Sequence, residues 1–392
     1  MSDRKLVLDL ELPSEQAPFL ASVERHWREI LDGLGDRDIH TAIRSLAGRE
    51  GLEPTLARRV FEQITAGAEN ELSIAAFLAN TEPHRLSGPT IAACASVMRD
   101  RAHRIRPQVP GPLIDTCGTD GDGLKTLNVS TAAALVLVSR GAYVAKHGNR
   151  AITSACGSAD VLEAMGVPID VEPSEAQRLI EQASLGFLFA PRFHPAMRFV
   201  QPVRRLLASE GATIGRSLRT VFNVLGPLTN PAWAQRQLVG VYAPELVEPV
   251  ARALGELGVE RALVVHGRGP MNEPMDEISP FGPTHAAVTG AGGLVETFEI
   301  EPSELGVKAV DPAEIRAGGS PSENAARIRG LLGGADDPAR ELVALNAGGA
   351  LWITGNAADL RSGLVEARAE LRSGRPLQCL ERLVAAARPS SN

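Results

Sequence analysis

The sequence predicts an α/β protein: a small all-helical domain, then a larger domain with a mainly parallel central sheet flanked by helices. Three observations predict it. Residues 39–105 show helical periodicity only. The stretch "RPQVPGP" (106–112) has the composition of a linker. Beyond it, short strand-like apolar runs alternate with amphipathic helices, the pattern of a parallel sheet. With 392 residues there is room for two domains and a sizeable core.

The helical part reads as "HTAIRSLAGREG", "EPTLARRVFEQITAG", "ELSIAAFLAN" and "SGPTIAACASVMRDRAHRI". In the second, Leu56, Val60, Phe61 and Ile64 recur on one helical face, and Gly67 and Gly88 are expected breaks. The strand candidates are "PLIDT", "AYVAKHG", "LGFLFA", "RQLVGVY", "RALVVHG" and "GLVETFEI". The stretch 173–215 also reads as helical and is expected to return to the first domain. The resulting organisation is an N-terminal extension (1–38, a strand followed by the helix "FLASVERHWREILDGL"), a helical domain (39–108 with helices from about 173–212), and an α/β domain (109–172 and 213–386).

Composition narrows function. Hydrophobic residues make up 44% and charged residues 22%, ordinary for a soluble globular protein. A net charge of −7 and 4% aromatics disfavour bulk nucleic-acid binding, which needs a basic footprint. Four scattered cysteines (94, 117, 156, 379) lack zinc spacing and are expected as free thiols in a reducing cytoplasm. "MSDRKLVLDLELPSEQ" has no apolar signal-peptide core, and Arg140 interrupts the longest apolar stretch.

The chemistry begins at Asp115–Thr131, "DTCGTDGDGLKTLNVST". A short strand runs into a glycine loop and then into a helix expected from about Ala132, with Asn128, Ser130 and Thr131 as capping residues. Such a helix start offers free N–H groups and a positive dipole end to an anion, and glycines let the backbone approach it. The spacing matches neither GxxxxGK[ST] nor GxGxxG. Asp120 and Asp122 would repel a bare diphosphate, but a bound Mg²⁺ reconciles them with it. A Gly-rich surface turn is the plain alternative.

"KHGNRAITSACGSADVLEAMG" (146–166) adds a basic strand end and a second small-residue turn opening a helix, with Thr153, Ser154, Gly157 and Ser158. Strand ends of open α/β sheets line the ligand crevice. A solvated basic turn and a routine Ser158 cap are the plain readings. Asp276 and Glu277 follow a buried strand and suit a Mg²⁺ ion, although neighbouring carboxylates are common on any surface. His266 reads as a satisfied strand-end histidine. Arg198, Arg204 and Arg205 fall on a helix that either is solvated or directs a guanidinium to a carboxylate.

Together these segments, with "RTVFNVLGPLTNPA" (219–232), "MDEIS" (275–279) and "LVALNAGGAL" (342–351), resemble the anthranilate phosphoribosyltransferase family, of the nucleoside-phosphorylase-like fold. The resemblance covers roughly residues 42–385. It implies an active site in the cleft between the helical and α/β domains, transfer of phosphoribosyl from 5-phosphoribosyl pyrophosphate to the anthranilate amine in tryptophan biosynthesis, two Mg²⁺ ions, a homodimer and no covalent nucleophile. By position it implies that Gly118, Thr119, Gly121, Asp122, Gly123, Thr126, Asn128, Ser130 and Thr131 hold the pyrophosphate and one Mg²⁺, with Ser130 as a ligand. Asp276 and Glu277 would bind the second ion. Lys146, Gly148, Ser154 and Ser158 would meet the donor's phosphates, and His147, Asn149 and Arg204 the acceptor, Arg204 on its carboxylate.

The chain departs from the family at Asp120 (usually Gly), Leu127 (usually Phe), a longer "LLASEGATIGRSLRT", an inserted "NEP" (272–274) and "LANTEPHRLSG" (78–88). A paralogue with another aromatic or heterocyclic acceptor, a nucleoside phosphorylase and a non-catalytic nucleic-acid-binding relative are the competing readings.

Overall fold

Four helices open the part of the chain that the computed structural model describes, residues 37–119, 124–151, 156–213, 218–290, 293–308 and 310–388. The strand and helix expected in the extension lie outside these residues. The helices are α1 (Asp38–Ala47), α2 (Pro54–Thr65), α3 (Glu71–Ala79) and α4 (Gly88–Asp100). Side chains satisfy the amides that begin the last three: Glu53 accepts from Thr55 and Leu56, Asn70 from Ser73, and Ser87 from Thr90. Val60, Phe61 and Ile64 are buried as the periodicity requires, and Leu56 packs at the edge. Gly67 does end α2: its φ is +74°, and an added Cβ would lie 2.5 Å from the Phe199 ring. Gly88 instead begins α4, at a close approach to Arg252 and Pro249.

Past the linker the chain builds an eight-stranded sheet in the order β3-β2-β1-β4-β5-β7-β8. Its strands are β1 (Leu113–Gly118), β2 (Tyr143–Gly148), β3 (Leu185–Phe189), β4 (Arg236–Gly240), β5 (Arg261–Arg268), β6 (Pro274–Met275), β7 (Thr284–Gly290) and β8 (Val295–Ile300). The first five run parallel; β7 and β8 add antiparallel, and β6 pairs antiparallel with the end of β5. From β1 the chain turns to β2 on one side and reaches β4 later on the other. The boundary between β1 and β4 is therefore the topological switch point, where ligands of open α/β sheets bind beyond the strands' carboxyl ends.

Helices α5 (Val129–Ser139), α13 (Ala339–Thr354), α14 (Leu360–Ser373) and α15 (Arg375–Ala386) pack together in the apolar cluster on one sheet face; α12 (Pro321–Leu332) joins them against the short α6 (Ser158–Ala164). On the other face lie α10 (Phe222–Leu228) and α11 (Val247–Glu256). The helical bundle shares this second core: Phe61 and Phe77 belong to one apolar cluster with Val239 and Val264 of the sheet, and Phe61 stacks on Phe222 at 5.5 Å. Burying each such side chain contributes roughly 1.5–3 kcal/mol. The 173–215 stretch splits. Helix α7 (Pro173–Ala183) packs on β3, β2 and α15, within the sheet's own layers, and β3 follows it. After the short α8 (Ala190–Phe193), helix α9 (Gln201–Thr213) packs on α3 of the bundle. Periodicity reports that a segment is helical, not which surface it covers, so the return of all of 173–212 to the bundle is corrected to α9.

Candidate active site

Glycines end β1 and β4, and Gly118 and Gly240 are direct partners in the sheet. The reason lies above them. A Cβ on Gly118 would overlap the Asp276 carboxylate, and one on Gly240 would overlap the Asp276 backbone carbonyl. Near the end of β5, a Cβ on Gly267 would lie 2.5 Å from the Glu277 carbonyl oxygen. Three strand-end glycines thus clear a floor on which the acidic pair crosses the switch point. Asp276 lies against the start of the glycine loop at Gly118. Glu277 meets its far end, accepting from the Thr126 hydroxyl at 2.9 and 3.1 Å. Thr119 bonds across to β4, its amide to the Gly240 carbonyl at 3.0 Å and its hydroxyl accepting from Tyr242 at 3.1 Å. Gly240 and Gly267 escaped the sequence reading; glycine closing the buried runs "RQLVG" and "ALVVHG" was the available signal. Asp120, Gly121, Asp122, Gly123, Thr153 and Ser154 lie outside the described residues.

Helix α5 starts at Val129, three residues before the expected Ala132, which moves Ser130 and Thr131 inside its first turn. Asn128 occupies the cap position without capping: its amide donates to the Cys156 carbonyl at 3.0 Å. Its buried Oδ1 and the buried Thr131 hydroxyl have no hydrogen-bond partner among the described residues. Buried polar atoms without partners are costly, and at a helix start they fit a polar ligand or hydrated cation. Lys146 is only 1% exposed. Its ammonium donates to the Thr116 carbonyl at 2.7 Å and to the Ser130 hydroxyl at 3.3 Å.

At the described edges of the second turn, a carboxylate takes backbone amides. Gly157, not Ser158, caps α6, and Ser158 donates to the Asn149 carbonyl at 3.4 Å. The Asp160 carboxylate takes the Ala151 and Gly157 amides, each at 2.9 Å, and Arg150 pairs with Asp160 and Glu163. Gly148 is required by space, because a Cβ there would overlap the Ser158 hydroxyl. Asn149 is exposed and its side chain accepts from the Arg150 amide.

His147 is buried beside this floor. Its Nδ1–H donates to the Gly226 carbonyl on α10 at 3.0 Å, which leaves Nε2 to accept from His194 Nε2–H at 3.2 Å. Burial pushes His147 down to about 4 and His194 to about 3, so both are neutral at pH 7. Asp115, buried in β1, accepts from the His147 amide at 3.2 Å and from the Asn230 side chain at 2.7 Å. Burial pushes it up to about 6 against the opposing pull of Lys146. His266 is the satisfied histidine expected, bonded to the Val241 carbonyl at 2.8 Å.

Arg204, in the first turn of α9, is half-buried with its guanidinium 5.3 Å from the Phe222 ring centroid. It makes no side-chain hydrogen bond or ion pair with a described residue, and burial lowers its pKa. Arg205 beside it is exposed. Phe222 and Gly226 stand four residues apart on α10, hence on one face, so a single helical turn links the Arg204 cation to the His147 ring.

The histidine pair has a pH consequence. Unfolded, each ring protonates near 6.5; folded, only near 4 and 3. Between those values the unfolded chain binds the extra protons, so stability falls as pH drops below 6.5. Asp115 acts oppositely: folded it protonates near 6, unfolded near 3.8, so its contribution is lost as pH rises through that window. Two histidines outweigh one carboxylate, and the melting temperature is expected to fall from pH 7 to pH 5. His194→Asn should flatten that fall; an equally steep fall in the variant would remove the histidines as its cause.

Residues 110–377 match the profile of the glycosyl transferase family, a/b domain, which places the chain among glycosyltransferases. The chain is 46% identical to an anthranilate phosphoribosyltransferase from Roseiflexus sp. strain RS-1, over 85% of this chain and 93% of that protein. Its fold superposes on the anthranilate phosphoribosyltransferase of Thermus thermophilus with a TM-score of 0.79 and 41% identity, covering 89% of this chain and 99% of that one. The enzyme from Saccharomyces cerevisiae, in complex with PRPP and Mg, matches with a TM-score of 0.73 and 25% identity over 89% and 97% of the two chains. The chain belongs to the anthranilate phosphoribosyltransferase family.

Proposed function

We propose that this protein transfers the phosphoribosyl group of 5-phosphoribosyl pyrophosphate to the amine of anthranilate, giving N-(5-phosphoribosyl)anthranilate and pyrophosphate, as a step of tryptophan biosynthesis. The observation that carries the reading is the acidic pair laid across both ends of the glycine loop at the β1–β4 switch point. Bond breaking at the anomeric carbon places charge on the departing pyrophosphate. The amides at the start of α5, the Lys146 ammonium and the Ser130 and Thr131 hydroxyls are where that charge is received.

The donor set is all hard oxygen, which suits Mg²⁺, an ion that takes one or two carboxylates and fills its remaining positions with phosphate oxygens and water. In this reading there are two ions: Asp276 and Glu277 would hold one, and the glycine loop with Ser130 would hold the other. When bound they neutralise the leaving diphosphate. Anthranilate's amine is uncharged at pH 7, so the protein's task on that side is orientation. Arg204 grips the carboxylate, with His147 and Asn149 beside the ring. The amine attacks the anomeric carbon and releases one proton.

A panel of aromatic and heterocyclic amines with a ribose-labelled donor tests this directly. Turnover with another amine and none with anthranilate would replace the acceptor. Asp276→Asn is expected to raise the Mg²⁺ concentration for half-maximal rate at least tenfold, as removing a ligand costs no less than the roughly 10–100-fold typical of its supports. An unchanged Mg²⁺ titration would remove Asp276 from the metal.

We place the enzyme in the cytoplasm, in keeping with four cysteines that are all free thiols. We also propose a homodimer through the helical part, supported by Leu72 on α3, 80% exposed, and Leu206 on the adjoining α9, 53% exposed. Leu72→Asp is expected to shift the mass in light scattering toward that of one chain.

A further inference from the structure

The motif "LVALNAGGAL" lies in α13, far along the chain from every residue assigned above, and nothing in the proposed reaction uses it. Its Asn346 is 3% exposed. The side chain accepts from the Ile278 amide at 2.9 Å and donates to the Ile278 carbonyl at 3.1 Å and the Leu342 carbonyl at 3.0 Å. An amide N–H only donates and a carbonyl only accepts, so the orientation of the asparagine is fixed by its partners. One side chain thereby offers Ile278 the donor and acceptor that a neighbouring β-strand would offer. Among the described residues no strand pairs with Ile278, and Ile278 directly follows Asp276 and Glu277.

The rest of the helix face completes the seat. Gly349, one turn on from Asn346, leaves space for the Ile278 side chain, since a Cβ there would come within 2.7 Å of Ile278 Cδ1. Beyond Ile278, the Ser279 hydroxyl donates to the Arg268 carbonyl at 2.6 Å and its amide to the Thr284 hydroxyl at 2.9 Å. Gly118, Gly240 and Gly267 set the height of the segment from below. Two adjacent carboxylates repel each other, and the backbone that carries them must be held from outside. Apolar contact with Ile278 would join helix to loop at no desolvation cost; a buried asparagine is favourable only if every polar atom is paired, and it then sets backbone register.

We propose that Asn346 is a positioning residue for the reaction: by clamping the Ile278 backbone it holds Asp276 and Glu277 where a divalent cation and diphosphate are received. The inference rests on the metal role given to the acidic pair under the proposed function. Supporting groups of this kind typically change metal affinity by roughly 10–100-fold when removed.

The test is Mn²⁺ binding, read by the paramagnetic resonance of free Mn²⁺ with inorganic pyrophosphate present, alongside melting temperature and the two substrate KM values. Asn346→Ala is expected to weaken Mn²⁺ binding about 10–100-fold and to raise donor KM, with acceptor KM unchanged and turnover restored by excess Mg²⁺. Asn346→Asp, of equal size, sets an oxygen against the Ile278 carbonyl and should show the same loss should the alanine variant not fold. Ile278→Ala keeps the backbone clamp but removes packing; it should lower the melting temperature and leave Mn²⁺ affinity near wild type. Wild-type Mn²⁺ binding in the Asn346 variants, with binding lost in Asp276→Asn, would overturn the positioning role alone. An equal loss in Ile278→Ala would overturn it too, by showing that any destabilisation suffices. Wild-type binding in Asp276→Asn would overturn the metal reading and the positioning role together.

Discussion

Gly240→Ala is expected to lower kcat/KM for the phosphoribosyl donor by about a hundredfold or more. The Cβ of any residue at 240 would overlap the Asp276 carbonyl, whose carbon would also be too close. That obstacle is backbone, not the far end of a flexible side chain, so one segment must move. Either β4 drops away from its partner Gly118, or the strip carrying Asp276 and Glu277 lifts off the floor. A displacement of about 1 Å at a reacting site can cost about a hundredfold in rate. The melting temperature should fall as well, since the strip is tied into the core at Met275 and Ile278. Gly282→Ala is the control, because a Cβ at 282 meets nothing within 4 Å. Steady-state kinetics of both variants check the claim; wild-type donor kinetics in Gly240→Ala would show that the acidic strip is not seated on β4 in the working enzyme.

Arg204→Ala should separate the two substrates. The guanidinium sits half-buried over Phe222 with no carboxylate beside it among the described residues, and burial has lowered but not removed its affinity for a proton. A cation left in that state is favourable when a ligand carboxylate completes it. Losing a charge-assisted hydrogen bond costs about 1.5–3 kcal/mol, or about 10–150-fold in affinity. That loss is expected in acceptor KM, with donor KM unchanged. Arg205→Ala, one position on and exposed, should leave both constants near wild type. Equal rises in the two KM values for Arg204→Ala would place the guanidinium elsewhere in the reaction.

Much of this molecule can be read in its chain because local rules govern it. The mainly parallel sheet follows from alternating apolar runs and helices, and "DTCGTDGDGLKTLNVST" reads as strand, glycine loop and helix start. Local rules misjudge the details where distant groups compete. Asn128 has the chemistry of a helix cap, yet its amide is drawn to the Cys156 carbonyl, 28 residues on. Ser158 looks like a cap, yet Asp160 gathers the amides of its turn. Helix α7 reads like a bundle helix, yet its apolar face meets β3 and α15.

The sequence by itself determined the fold class, the family and the residue types able to hold a diphosphate, because hydrophobic period, turn glycines and motif order are properties of neighbouring residues. Only the tertiary structure decided that Asp276 and Glu277 span the two ends of the glycine loop. It alone decided that Gly240 and Gly267 make the room, that Arg204 stands over Phe222 with no partner among the described residues, and that Asn346 grips the backbone beside the acidic pair. Those facts depend on segments tens of residues apart meeting in a close-packed interior, where a single Cβ or one unpaired amide outweighs any local preference.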